Sequence, residues 1–128
     1  MARAFFDLKI WQKAQSLAEQ IYKVTRVFPK DEIFGLTTQM RRAAVSVAAN
    51  IAESQGRFHY KDKFRILYIS RGEIYEIQSH LRIALSQHYM TERNFKILDE
   101  SYNGLIKGIN SLIYNLSKKS QYLDRLIA

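Results

Sequence analysis

Arg57, Lys61 and Arg65 step by four, Lys63 sits beside them, and Phe58, Tyr60, Phe64 and Tyr68 fall in between. On a helix that spacing lines cations along one side, with planar rings among them. Such a patch can hold a polyanion, gripping phosphates by charge and bases by stacking. The other reading places the rings in the core and leaves the cations merely solvated. Arg41 and Arg42 supply a second cationic point. Adjacent helical residues diverge by about 100°, so the two arginines do not serve one contact.

Other chemistry finds less support. His59, His80 and His88 form neither an i, i+4 pair nor the Glu-x-x-His unit that builds metal sites in helical bundles, so no metal or other cofactor is expected. With no cysteine, disulfides and thiolate sites are excluded. No glycine-rich phosphate cradle follows a strand, and no serine has a His/Asp partner in its sequence context. Glu73 and Glu76 lie one turn apart and have the types of an acid/base pair, but read more simply as surface carboxylates near Arg71. The expectation is a protein without enzymatic activity.

The elements that must carry these residues are helices. Leu8, Trp11, Ala14, Leu17, Ala18, Ile21, Val24 and Phe28 recur at three and four, predicting helix 1 over about 8–28. Asp7 is its expected N-cap, Phe6 packs on Trp11 as a staple, and Pro29 is the stop. After PKDEIFG the second helix runs over about 36–55 and ends at Gly56. The third spans about 60–88 with Phe64, Leu67, Ile74, Ile77, Leu81 and Leu85 inward. Gly72 in its middle costs about 1 kcal/mol relative to Ala, which predicts close approach by another group. Thr91 caps a fourth helix over about 92–119. Its seam of Phe95, Leu98, Tyr102, Leu105, Ile109, Leu112 and Leu116 predicts shallow left-handed packing. The tail 120–128 reads equally as a continuation or a docking arm.

Four amphipathic helices without strand alternation predict an all-α, antiparallel, up-down-up-down, left-handed four-helix bundle, in one domain over 1–128. The composition agrees: 128 residues, 47% hydrophobic and 25% charged, suit one globular unit with a core. No apolar run reaches the length of a membrane span and no secretory leader is visible, so a cytoplasmic protein is expected. The net charge of +8 favours polyanions if the cations cluster.

In QMRRAAVSVAANIAES, residues 39–54, Gln39, Arg42, Ser46, Asn50 and Glu53 form a polar stripe, and Met40, Ala44, Val47 and Ile51 an apolar one. Together with FDLKIWQKA, FP with Glu32 and FGL, and RGEIYEI, this stretch resembles the four-helix-bundle proteins encoded in intervening sequences of bacterial 23S rRNA genes. The likeness spans about 6–116. Ser54 stands where that family usually has glycine, Ser70 to Glu73 replace Ala-x-Gly-Ser, and His59 replaces a small cap. The resemblance implies a left-handed up-and-down bundle assembling as a ring-like homopentamer. It also implies similarity to accessory proteins of diversity-generating retroelements, which bind nucleic acid beside a reverse transcriptase, and so names such an enzyme as a candidate protein partner.

On this reading Arg42, Asn50, Glu53 and Gly72 set register or subunit contact, with Arg42 or Arg71 pairing a buried Glu53; the alternative is a polar stripe exposed to solvent. Arg41, Arg57, Lys61, Lys63 and Arg65 bind structured RNA or DNA. A purely protein-directed adaptor is the alternative.

Overall fold

Each apolar stripe must find another to cover it, and four stripes on four rods close on one another around a single core. The computed structural model describes residues 4–127 and is all-α. Helix α1 spans Lys9–Thr25, α2 Leu36–Gly56, α3 Tyr60–Ser86 and α4 Glu92–Ile127, with 3-10 turns at Phe5–Asp7 and Lys30–Glu32. Among the described residues there is no strand. Side chains join α1 to α2, α2 to α3, α3 to α4, and α4 back to α1. The core comprises Leu17 and Ile21 of α1, the whole apolar stripe Met40, Ala44, Val47 and Ile51 of α2, Ile74 and Leu81 of α3, and Leu105 and Ile109 of α4. Small residues let α2 and α3 meet closely, and the buried Ser70 hydroxyl donates to the Val47 carbonyl at 3.0 Å.

Several termini differ from the sequence expectation. Asp7 is not the cap of α1: it closes the 3-10 turn, its amide bonding the Ala4 carbonyl, and α1 starts after Leu8 without a side-chain cap. The staple partner of Trp11 is Phe5, edge-on at 5.2 Å, while Phe6 packs on Phe5 and is exposed. At the other end α1 stops at Thr25, whose hydroxyl donates back to the Ile21 carbonyl at 2.7 Å, so Phe28 reaches the core from a turn. Helix α3 begins without a side-chain cap at His59. It closes at Ser86, where the Tyr89 amide bonds the Ala84 carbonyl, the His88 amide bonds Leu85, and His88 takes the left-handed φ of 62° usually given to glycine. Thr91 caps α4 as expected, accepting from the Asn94 amide at 3.1 Å. Helix α4 continues through the tail to Ile127; residues 1–3 and 128 of the expected single domain lie outside the described residues.

The close approach expected at Gly72 is not made within the chain. Within the chain a Cβ at Gly72 would meet nothing within 4 Å, because the residue faces outward. Close approach occurs at Gly104 and Gly108, one turn apart on α4, where a Cβ would come within 2.7 Å of Lys13 Nζ and of Ile10 Cγ2 respectively. These two glycines let α1 lie against α4. Phe64, expected inward, is only half-buried, as are Leu85, Leu112 and Leu116.

Tyr102 leaves one polar atom without compensation. The residue is 1% exposed, its hydroxyl has no partner among the described residues, and burial holds its phenol well above the ordinary tyrosine range. An unsatisfied buried hydroxyl costs about 1–3 kcal/mol. Tyr102→Phe keeps the ring and removes the cost, so thermal melts should show a rise of about 4 °C, corresponding to about 1 kcal/mol. A fall in melting temperature would reveal a partner for the hydroxyl.

Candidate nucleic-acid interface

The exposed side of α3 is built by the same periodicity that buries its other side. Lys61, Phe64, Arg65, Tyr68 and Ile69 follow steps of three and four away from the buried Ile66, Leu67 and Ser70, and they line one shallow groove. Neither Lys61 nor Arg65 has an ion pair among the described residues, and both are exposed. Two planar rings, one aliphatic side chain and two cations thus share a single groove.

The other predicted cations are committed elsewhere. Arg57 pairs with Glu53 one turn back on the same helical path, and that pairing holds its guanidinium more firmly protonated. Lys63 turns away from the groove and donates from Nζ to the Ser54 carbonyl at 3.0 Å, meeting the negative end of α2; partial burial lowers its pKa. Arg41 donates from Nε to Thr25 Oγ1 at 2.9 Å and lies 4.9 Å from the Tyr22 ring centroid, tying α2 to the end of α1. Arg41 and Ser54 lie thirteen positions apart on α2, about 20 Å along the axis. Of the five candidates, only Lys61 and Arg65 share the groove.

The register candidates also separate. Glu53 is exposed rather than buried, and Arg57, not Arg42 or Arg71, is its partner, because Glu53 and Arg57 face each other across one helical turn. Asn50 donates to Ser46 Oγ at 3.1 Å within α2. Arg42 is exposed near Glu73. Sequence reading missed the ties between α3 and α4. Arg82 grips Asp99 with two bonds of 2.9 and 3.1 Å, Gln78 donates to Asn103 at 2.8 Å, and Arg71 donates to Asn110 at 2.8 Å. These partners lie 17 to 39 positions apart, beyond any local spacing rule.

Glu73 and Glu76 form a small acidic pair, with His80 Nε2 3.4 Å from Glu76. Burial chiefly raises the Glu73 pKa, helped by its hydrogen bond to and charge repulsion from Glu76, while Arg42 partly offsets the rise. Because the folded carboxyl holds its proton more tightly than the unfolded one, its contribution to stability is full below the ordinary carboxylate range, about pH 4.3. That contribution is lost as pH rises through the raised folded value. Glu73→Gln should therefore melt above the parent at pH 7 and converge with it near pH 4. A constant gap across that range would contradict the assignment. Among the described residues no cluster of three His, Asp or Glu is placed to hold a metal ion.

Comparison with known proteins gives two findings. The profile of the 23S rRNA-intervening sequence proteins matches residues 6–111. Among solved structures, the chain is similar to a protein of unknown function from the S23 ribosomal protein family of Bacteroides thetaiotaomicron, with 21% identity and a TM-score of 0.75. That likeness covers 82% of this chain and 95% of the other, and at this identity it speaks for the fold alone. No curated protein matches. The last sixteen described residues of α4, from Leu112 to Ile127, lie beyond the segment matched by the profile.

Proposed function

Because the chain belongs to the 23S rRNA-intervening sequence protein family, we propose that it acts as a non-enzymatic, oligomeric four-helix bundle that binds nucleic acid through its basic outer surface. The observation that carries this reading is the groove where Lys61 and Arg65, without an ion pair among the described residues, flank Phe64 and Tyr68. Assembly into a homopentamer repeats that modest patch around a ring, and several weak contacts on one polyanion add as avidity.

The bundle is read as antiparallel, up-down-up-down and left-handed. Residues 71, 78 and 82 rising along α3 bond residues 110, 103 and 99 falling along α4, which supports opposed directions. Exposed Val45 on α2 and Tyr75 and Ile83 on α3 offer apolar surface for subunit contact. The setting is the cytoplasm, with a reverse transcriptase as the candidate protein companion. No described helix is long and apolar enough to cross a membrane.

A salt titration tests the proposal. Affinity for RNA or DNA should fall linearly in log–log form, with a slope of about −0.7 to −0.9 per phosphate held. Absence of binding at low salt would refute it. One observation favours a protein-directed adaptor instead: an open groove between α1 and α4, lined by Val24, Val27, Ile97 and Leu98 with Lys23 and Asn94 at its edge. On that reading nucleic acid is not bound at any salt concentration.

A further inference from the structure

Aromatic rings and cations alternate across α3 and onto α4. The Arg71 guanidinium lies 4.9 Å from the Tyr68 ring centroid and, through its bond to Asn110, reaches α4. From Asn110 the same face of α4 continues at steps of four to Tyr114 and Lys118, whose Nζ is 4.8 Å from the Tyr114 ring centroid. A second groove opens at this end, lined by Tyr60, Lys118, Lys119, Tyr122 and Leu123. Tyr60 and Phe64, 6.4 Å apart between ring centroids, connect it to the first. The three outer tyrosines are far from buried: Tyr68 is 49%, Tyr114 59% and Tyr122 61% exposed. A ring has two faces, and a cation over one leaves the other open.

We propose that this strip binds unpaired nucleotides of a single-stranded segment. Bases stack on Tyr68, Tyr114 and Tyr122, and Lys61, Arg65, Lys118 and Lys119 hold the phosphates between them. The proposal rests on the nucleic-acid reading above and narrows it. In a duplex each base face is already covered by its neighbours, so exposed rings gain nothing from it; a single strand offers those faces and its phosphates together. Exposed tyrosines are otherwise a poor choice for a surface meant only to attract charge, where lysine alone suffices. Tyr114, Lys118, Lys119 and Tyr122 all fall beyond the profile-matched segment, on the last part of α4.

The test compares three labelled ligands on the full chain at one salt concentration: an oligothymidylate of about 16 nucleotides, an abasic strand of equal length, and a duplex of equal length. The thymidylate should bind about tenfold or more tightly than the abasic strand. Tyr68→Leu with Tyr122→Leu should remove about tenfold or more of the thymidylate affinity while leaving the abasic strand and the duplex unchanged. Tyr68→Phe with Tyr122→Phe should retain it. Equal binding of the thymidylate and abasic strands, with leucine variants unaltered, overturns stacking and leaves the charge-based reading standing. Loss of all three ligands in the leucine variant overturns it as well, by assigning those tyrosines to folding or assembly. No binding of any ligand by the parent overturns both readings.

Discussion

Ala44→Leu is expected to lower the melting temperature by about 10 °C, roughly 3 kcal/mol, whereas Ala49→Leu should change the fold's stability by less than about 0.5 kcal/mol. Both alanines lie in the middle of α2, one and a half turns apart. Ala44 has no accessible surface, on the face where α2 meets the rest of the core, so three added carbons must displace packed neighbours or the helix itself. Ala49 is exposed, and leucine there keeps helix propensity and finds solvent. Denaturant melts of both variants check the contrast, and equal losses would contradict the packing described. Ala49→Leu carries a second readout. If the outer face of α2 is a subunit contact, as proposed, sedimentation will register that variant through a change in mass where melting of the bundle does not.

That contrast marks what periodicity conveys. The apolar stripe Met40, Ala44, Val47 and Ile51 was legible because a helix repeats every 3.6 residues and only one face can be hidden; all four are completely buried. The seam of α4 was legible for the same reason, though its burial fades from Leu112 onward: α1 lies against Gly104 and Gly108 and offers no cover to the end of α4. Periodicity cannot say where a neighbouring rod stops. Nor can it say which glycine admits a neighbour. Gly72 drew attention by sitting mid-helix, yet Gly104 and Gly108 face α1, a fact fixed by the relative rotation of two helices distant in sequence.

Local bonding chemistry was legible where both partners lie within one turn, as at Thr91 and Asn94. It misled where a plausible motif had a stronger rival. Asp7 has the type of a cap, but the chain before α1 closes a 3-10 turn whose backbone bonds commit it. Arg42 and Arg71 have the charge to pair with Glu53, but Arg57, four residues on, is nearer on the same helical face.

Lys61→Gln combined with Arg65→Gln should, for each subunit engaged, weaken nucleic-acid binding roughly 25- to 60-fold at 0.1 M salt and flatten the log–log salt slope by about 1.4 to 1.8. The size follows from two phosphates no longer neutralised, each accounting for about 0.7 to 0.9 of slope. Stability should hold, since neither side chain is tied to the bundle. Arg57→Gln offers the control: its guanidinium shares charge with Glu53 across one exposed helical turn, and pairs so open to solvent contribute little to stability. Made together with Glu53→Gln, so that no unpaired carboxylate is left, it should leave the slope nearly unchanged, because the Arg57–Glu53 pair presents little net charge to a phosphate. Lys63→Gln should act oppositely to the groove pair, lowering stability by about 1 kcal/mol through loss of the bond to the Ser54 carbonyl while binding keeps its salt dependence. In sequence the four cations are equivalent members of one basic run. Equal effects of all four substitutions on the salt slope would mean that the run acts as diffuse charge, and would remove the groove as the place where the polyanion sits.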